Sequence, residues 1–359
     1  PSPNIDDYHI SFNRATNGKD RSSTSGDSQG IPELSFNTQS LVGGSNVRAS
    51  QNILYSALIP RYNVLTPTGV DGTGTSVNAS IRTVSGTSVD GSESSTDTVF
   101  TFTNMDKNIG YIKISSFNQA TAEGVAKALR EVSRMADNDL KGLIVDLRGN
   151  PGGLLKQSVK VADLLLTHGQ IVSTRGRHPD SLHHYEAGGR DLAEGLPIVV
   201  LVDGKSASAS EIVAAALQDR RRAVVVGTSS FGKGTVQTVV RLPNDGEVSL
   251  TWSRFITPSG YALHGLGVRP AVCTSGLSDG PQAALERFEL NKPEIQAAYA
   301  SWRRSLIDEK ESRKALRQAC ASERRKSTME RRIAELILYK PRLYAQAIEL
   351  TSRESQAWK

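Results

Sequence analysis

Residues 205–237 combine side chains that could carry out nucleophilic chemistry without a histidine. Three serines, Ser206, Ser208 and Ser210, lie within five positions, and Lys233 follows between two glycines. All six histidines of the chain lie outside this segment. A serine hydroxyl is a weak nucleophile until a base removes its proton, so the segment raises the question of which group is the base.

Lys233 is the candidate base. The glycines on either side of it remove side-chain bulk and allow the backbone to approach another element closely. A lysine can accept a proton when desolvation lowers its pKa from about 10.4 toward neutrality. The surrounding SSF and TV residues are apolar enough that we expect such shelter. An ordinary surface lysine is the alternative interpretation of an isolated Gly-Lys-Gly.

Ser208 also has two interpretations. Ser208-Ala-Ser-Glu211 matches the capping box S-x-x-E, in which the serine only caps the start of a helix. A hydroxyl at a helix start would also lie where the helix dipole favours developing negative charge. We expect Ser206 and Ser210 to hydrogen-bond the local turn. From this segment alone, capping and catalysis both remain open.

Residues 227–233 introduce a third possibility, because they fit the phosphate-loop spacing G-x-x-x-x-G-K. A phosphate loop presents its ligand to the N-terminus of the helix that follows it. Here the next residues, VQTVVRLP, have the composition of a strand. A nucleotide-binding module therefore ranks below the other readings.

The segments around these residues predict an α/β core. Strands are expected in GYIKISSF, LKGLIVDLRG, PIVVLVD and AVVVG, and helices in ATAEGVAKALREVSRMA, LLKQSVKVADLLLTHG and SEIVAAALQD. This alternation with short connections predicts a parallel sheet covered by helices. The segment DGKSASASE follows one of these strands, and strand carboxyl ends are where such sheets expose chemistry.

The two ends of the chain differ from this core. Residues 1–104 are rich in Ser, Thr, Gly and Asn, and we expect short strands, flexible loops and disorder over much of 1–30. Residues 281–359 are helical in pattern and contain 17 Lys and Arg against 11 Asp and Glu, which accounts for the whole net charge of +6. We interpret this excess as a solvated helical face, because no nucleic-acid-binding module accompanies it.

Five segments occur in an order that is typical of one enzyme family. They are NIGYIKISSFN, LIVDLRGNPGG, SASASEIVAAALQD, VVGTSSFGKGTVQ and ITPSGYALHGLGVRPAV. Together they resemble the C-terminal processing, or tail-specific, serine peptidases, which use a serine–lysine dyad. The resemblance covers about residues 108–272. It implies a ClpP/crotonase-like parallel-sheet catalytic core at 105–275, after a β-rich and partly disordered N-terminal region (1–104) and before a helical C-terminal segment (281–359).

The resemblance assigns roles to three of these residues. Ser208 corresponds to the nucleophile, Lys233 to the general base, and Gln237 to the residue that holds the lysine amine in place. Gln237 is four positions after Lys233, so in an extended segment both side chains point to the same side.

An oxyanion hole requires two backbone N–H donors near the nucleophile. The resemblance assigns one to Ala209, and we expect the other from the NPGG turn, where Gly153 is favoured over Gly152. The same turn is also a simple strand-to-helix connection. Asp146 and Arg148, just before it, are interpreted as a structural ion pair.

The implied activity is hydrolysis of peptide bonds in polypeptides, including unfolded chains and chains with apolar C-termini, with no metal or organic cofactor. We expect a periplasmic or secreted protein whose export signal has been removed, with no membrane span and no nucleic-acid partner. The basic C-terminal helices could dock on the core, form a homo-oligomer or bind a regulator. A non-catalytic peptide- or ligand-binding protein on the same scaffold is the alternative.

Several features stay open or carry no expected function. Residues 68–88 resemble only the late strand of a PDZ module, so a degenerate or truncated module is one interpretation of the N-terminal region. Cys273 and Cys320 have neither metal-site spacing nor a CxxC pattern, and free thiols and one disulfide both remain possible. No metal site is expected at His183 and His184, and His264 is interpreted as a loop residue.

Overall fold

The computed structural model describes residues 108–135, 139–241, 246–325 and 328–351, together with the backbone of five short strands nearer the N-terminus. Those strands are β1 Ser11–Asn13, β2 Thr68–Val70, β3 Ser76–Asn78, β4 Arg82–Val84 and β5 Val99–Asn104. All five lie within residues 1–104, where the sequence predicts short strands. Most of the expected disorder in 1–30 and most of the PDZ-like segment lie outside the described residues.

The core is a seven-stranded sheet in the order β14-β11-β10-β7-β6-β5-β4. Its remaining strands are β6 Ile109–Ile114, β7 Gly142–Asp146, β10 Ile198–Val202, β11 Ala223–Gly227 and β14 Val272–Cys273. These five run parallel, whereas β4 and β5 add an antiparallel edge. Strands β7, β10 and β11 are buried along their whole length, because helices cover both faces of the sheet.

Three helices cover one face of this sheet: α1 Thr121–Met135, α2 Leu155–Asp163 and α3 Ala209–Asp219. They pack on alternate strand residues such as Val145 and Val200, which belong to one continuous apolar core. The predicted α/β core is therefore confirmed.

The C-terminal segment forms the layer on the other face. Its helices are α4 Pro281–Leu290, α5 Lys292–Arg304, α6 Lys310–Gln318, α7 Met329–Leu338 and α8 Pro341–Leu350. Phe288, Ile333 and Ile337 pack against the alternate strand residues Ile144 and Val224 in a second apolar core. Each such side chain contributes about 1.5–3 kcal/mol on burial. Of the options left open by the sequence, the helices dock on the core.

A disulfide and backbone hydrogen bonds tie this segment to the carboxyl edge of the sheet. Cys273, at the end of β14, is bonded to Cys320, just after α6. Further on, the Glu323 carbonyl accepts hydrogen bonds from the Gly204 N–H and the Thr228 hydroxyl. The C-terminal segment therefore contacts the loops that follow β10 and β11.

A second, antiparallel sheet contains the segment after Lys233. It consists of β1, β8 Gly169–Arg175, β9 His183–Ala187, β12 Thr235–Arg241 and β13 Glu247–Ile256. Strand β12 overlaps the segment VQTVVRLP, whose composition predicts a strand, and pairs with β13. The register of this pair is irregular where Val236 and Gln237 face Ser253 and Thr251. Within the described residues, no helix has the length and apolar character needed to cross a bilayer.

Candidate active site

Ser208 lies at the start of α3, where the chain leaves β10, and its backbone is strained. Its φ is 56° and its ψ is −113°. A positive φ is uncommon for a non-glycine residue and costs about 1–3 kcal/mol. An ordinary N-cap residue has extended backbone instead. The strain is therefore unexplained by capping alone, and it supports a functional role for this serine.

The neighbouring serines hold the turn around Ser208, as the sequence analysis expected. The Ser206 hydroxyl donates to the Leu147 carbonyl at 2.8 Å. The Ser210 hydroxyl lies 2.9 Å from the Asn150 carbonyl oxygen, which also accepts from the backbone N–H of Ala207. Ser206 and Ser210 are fully buried, whereas Ser208 is half-buried. Of the three serines, Ser208 is the one that a substrate could reach.

A buried carboxylate joins the serine turn to the lysine loop. Oε2 of Glu211 accepts hydrogen bonds from the backbone N–H of Ser208 and from that of Lys233, both at 2.8 Å. The two amide nitrogens are thus separated by no more than twice that distance. Oε1 accepts from the Gly232 N–H at 2.6 Å and from the Ser230 hydroxyl.

Glu211 was recognised in the sequence only as a capping-box residue, and its link to Lys233 was missed. Its Ser208 contact is the capping-box bond, but the same carboxylate also binds a loop more than twenty residues away. Burial raises the pKa of Glu211, and the hydrogen bonds to its oxygens oppose that shift. An acidic residue in the otherwise apolar start of a helix, SEIVAAAL, was the available signal.

The NPGG turn packs directly on Ser208. A Cβ on Gly152 would lie 2.8 Å from Ser208 Cβ and 3.0 Å from the Ala209 nitrogen, so only glycine fits there. The Gly152 N–H donates to Asn150 Oδ1 at 2.8 Å. The N–H groups of Gly153 and Ala209 make no hydrogen bond within the described part of the chain.

The side chains of Lys233 and Gln237 are both exposed. Neither forms a hydrogen bond with the other or with Ser208 among the described residues. In the loop 231–234 the two glycines are buried while Phe231 and Lys233 face outward, so the shelter expected for the lysine is not present in this structure. Strand β12 begins at Thr235, so strand alternation applies to Gln237 but does not extend back to Lys233.

Asp146 and Arg148 form the expected ion pair, with Arg148 Nη2 2.7 Å from Asp146 Oδ2. Burial acts to raise the pKa of Asp146, but the hydrogen bonds and charge of Arg148 outweigh it and hold that pKa below its ordinary value. Arg148 also binds Glu330 of α7 at 3.1 Å. The pair thus connects the strand before the NPGG turn to the C-terminal helices.

The three histidines considered in the sequence analysis lie on β9 and in the loop that packs against Gly234. His183 and His184 are exposed on β9, where the Thr174 hydroxyl is 3.3 Å from His183 Nδ1. His264 lies in a loop, and its carbonyl accepts from Arg313. Two exposed apolar side chains lie beside the two loops: Leu154 directly follows Gly153, and Phe231 directly precedes Gly232.

Part of the chain is similar in sequence to known proteases. Residues 108–273 match the model of peptidase family S41. The chain is 45% identical over 169 residues to a carboxy-terminal-processing protease of Bartonella bacilliformis, covering 47% of this chain and 39% of the relative. It is 34% identical over 197 residues to the carboxy-terminal processing protease CtpB of Bacillus subtilis, covering 53% and 40%.

Among solved structures, the chain is similar to a photosystem II D1 C-terminal processing protease. The sequence identity is 36% and the TM-score is 0.42, and the match covers 45% of this chain and 41% of the other. The chain spans about two fifths of the length of the curated relatives described above.

Proposed function

We propose that this protein is a serine endopeptidase of the C-terminal processing type, because residues 108–273 match the model of peptidase family S41 and resemble a carboxy-terminal-processing protease. Ser208 is the nucleophile and Lys233 the general base. The observation that carries the proposal is the Glu211 carboxylate, one oxygen of which binds the backbone N–H groups of both residues. That contact brings two loops together at a strained serine.

Acylation begins when the Lys233 amine takes the proton of the Ser208 hydroxyl. Oγ of Ser208 forms a bond to the carbonyl carbon of the substrate, and the carbonyl electrons move to its oxygen. When the C–N bond breaks, the lysine returns the proton to the leaving amine. Water then attacks the acyl carbon while the lysine takes a proton from it. The ester bond to Ser208 Oγ breaks, the lysine returns the proton to Oγ, and the second product is released.

The negative oxygen of the tetrahedral intermediate needs donors that are already in place. The N–H groups of Gly153 and Ala209 suit this role, because neither is used in a hydrogen bond within the described residues. Gly152 is less suited, because its N–H already binds Asn150. Preorganised donors of this kind contribute roughly 3–4 kcal/mol each to the transition state.

The exposed Lys233 side chain must turn toward Ser208 before it can act. Its four-carbon stem can rotate without moving the backbone that Glu211 holds. A polypeptide lying over the site would exclude water from the amine, and desolvation favours the neutral form that accepts a proton. Gln237 would then hold the amine. In this mechanism, substrate binding completes the base.

The proposed substrates are polypeptides, including unfolded chains and chains with apolar C-termini. Leu154 and Phe231 are 46% and 56% exposed beside the two loops, and they offer apolar contacts to substrate side chains. The disulfide between Cys273 and Cys320 supports a periplasmic or secreted location, since such bonds persist in oxidising compartments. A homo-oligomer through the C-terminal helices would have to use the faces that are not packed on the core.

Proteolysis of an unstructured polypeptide such as β-casein tests this function. We expect the wild-type protein to cleave it and Ser208→Ala and Lys233→Ala to lose at least about 1,000-fold in kcat/KM. Lys205→Ala, which removes an exposed lysine close to the same turn, should keep wild-type activity. Cleavage that survives both dyad substitutions would rule out this mechanism, and a wild-type protein that cleaves nothing would favour the non-catalytic binding protein.

A further inference from the structure

Helix α6 lies outside the residues that match the family, yet it directs two arginines at the catalytic loops. Arg313 and Arg317 are four residues apart and therefore share one face of the helix. Arg313 is buried and Arg317 half-buried, whereas Lys310 and Lys314 of the same helix are exposed. The basic segment is thus divided into a solvated lysine face and an arginine face that packs inward.

Arg317 links two loops with one guanidinium group. Its Nη2 donates to the carbonyl of Ser230 at 3.0 Å, and its Nη1 donates to the carbonyl of Leu266. Ser230 belongs to the loop that leads to Lys233, and its hydroxyl binds Glu211. The planar guanidinium fork can bridge two carbonyls at fixed positions, which a single ammonium group cannot do.

Arg313 supports the same turn from the preceding part of the helix. Its Nη2 donates to the carbonyls of Ala262 and His264, at 2.8 and 2.6 Å. Its Nη1 donates to the carbonyl of Ser305, which precedes the helix. The two arginines together bind three carbonyls of the 262–266 turn.

This turn contacts the backbone on both sides of Lys233. The Gly265 N–H donates to the Gly232 carbonyl at 2.9 Å. Gly234 packs so closely that a Cβ there would lie 2.1 Å from the His264 nitrogen. A displacement of the turn would therefore move the lysine backbone directly.

The charge of Arg317 also reaches the Glu211 carboxylate. Burial lowers the pKa of Arg317, and the negative charge of Glu211 opposes that shift. The guanidinium therefore lies close enough to Glu211 for their charges to interact. Arg317 contacts the lysine loop through the Ser230 carbonyl and approaches the carboxylate that binds the Lys233 N–H.

We propose that Arg317 is a positioning residue for Lys233, and that Arg313 supports it by holding the same turn. This inference rests on the proposed function. The C-terminal segment would then be part of the catalytic apparatus, fixed in place by the disulfide at Cys320.

The test compares Arg317→Met, Arg317→Lys and Arg313→Met with Lys314→Met, which changes an exposed lysine of the same helix. For Arg317→Met we expect kcat on β-casein to fall about 10- to 100-fold with little change in KM, because a misplaced base slows chemistry more than binding. Arg317→Lys should recover part of that loss, and Lys314→Met should match the wild type. Thermal unfolding of every variant separates mispositioning from general destabilisation.

Amide hydrogen exchange of the peptide containing residues 228–237 measures how firmly the backbone of the lysine loop is held, and it does not require catalytic turnover. Arg317→Met should speed exchange in this peptide, whereas Lys314→Met should not. Wild-type exchange together with wild-type kcat in Arg317→Met would overturn the proposal, as would a kcat loss that only follows a lowered unfolding temperature. A wild-type protein that cleaves nothing would contradict the proposed function, and the exchange result would still decide the role of Arg317.

Discussion

The two halves of the candidate site differ in how firmly they are held. Ser208 lies in a strained turn enclosed by the NPGG glycines, two buried serines and a carboxylate. Lys233 has an equally well-bound backbone, but its side chain is exposed and makes no hydrogen bond within the described residues. The proposed nucleophile is thus held in place, whereas the side chain of the proposed base is not. Under the proposed mechanism, activity depends on bringing the lysine amine to a serine that is already in place.

Outside the dyad itself, loss of the Glu211 carboxylate should have the largest effect, because it removes the link between the two halves. In Glu211→Gln, an NH₂ group replaces one oxygen and faces backbone donors, leaving buried N–H groups unpaired at about 1–3 kcal/mol each. We expect kcat/KM on β-casein to fall about 100- to 1,000-fold, with a lower unfolding temperature. Glu123→Gln, on the exposed face of α1, is the control. Wild-type activity in Glu211→Gln would show that the two halves need no common anchor.

The second-largest loss of activity is expected from a larger side chain at position 152, next to Ser208. The Cβ of Gly152→Ala would lie 2.6 Å from the Ala207 carbonyl oxygen and 2.8 Å from Ser208 Cβ. We expect about a 100-fold lower kcat from the displaced nucleophile. Gly149→Ala is a matched control, because that glycine also has a positive φ, +76°, but has no atom within 4 Å of the added Cβ. Equal activity losses in the two variants would indicate that backbone strain, and not contact with Ser208, is responsible.

The pH dependence of kcat/KM should show the protonation of Glu211 as a fall in rate at acid pH. Burial raises the pKa of Glu211, so its protonation begins at a higher pH than the ordinary glutamate value of about 4.3. A lysine base makes the rate rise toward alkaline pH. Below the raised pKa of Glu211 we therefore expect log(kcat/KM) to fall with a slope of about two, and with a slope of one in Glu211→Gln.

The contribution of Glu211 to the free energy of unfolding depends on pH in the opposite direction to its effect on kcat/KM. A raised carboxyl pKa means that the folded protein binds this proton more tightly than the unfolded chain does. The contribution of Glu211 to the free energy of unfolding is therefore fully present below about pH 4.3 and is lost as the pH rises through the raised pKa. Urea titrations of wild type and Glu211→Gln across this range measure it. If the free energy of unfolding changes with pH in Glu211→Gln as it does in the wild type, another group is responsible for the change.

Removing the disulfide should have the smallest effect on activity. In Cys273→Ser/Cys320→Ser, the lost cross-link should lower the free energy of unfolding by about 2–5 kcal/mol. We expect kcat to change only about two- to threefold, because Arg313 still binds the 262–266 turn. Urea unfolding and casein cleavage measure the two effects. A loss of activity as large as that of Arg317→Met would show that the cross-link, more than the arginine contacts, positions the lysine loop.

The sheet could be predicted from the sequence because its signals are local. The runs GLIV, IVVLV and AVVVG are continuous apolar segments between helical patterns, and each lies in a buried parallel strand. Ser208 and Lys233 follow two of these strands, so the sequence also indicated the edge of the sheet at which they lie. The contacts of Glu211, Arg313 and Arg317 are long-range, and no periodicity indicates which distant loop a charged side chain will bind.

The C-terminal helices illustrate the same limit. The apolar stripe of the segment MERRIAELILYK predicts a helix with one buried face, and α7 has that face. The stripe does not indicate that the partner is the second face of the sheet. The arginines of α6 were interpreted as part of a solvated surface, because charge alone does not distinguish them from the exposed lysines between them.

The C-terminal layer has a consequence for dissecting this protein into parts. Ile144, Val199 and Val224 face α4, α7 and α8, which all lie beyond residue 280. A recombinant fragment that stops near residue 275 would keep every proposed dyad and oxyanion residue. It would leave this apolar surface of the sheet exposed to water. Such a fragment should precipitate or be captured by chaperones, so a minimal expressible unit must extend through α8.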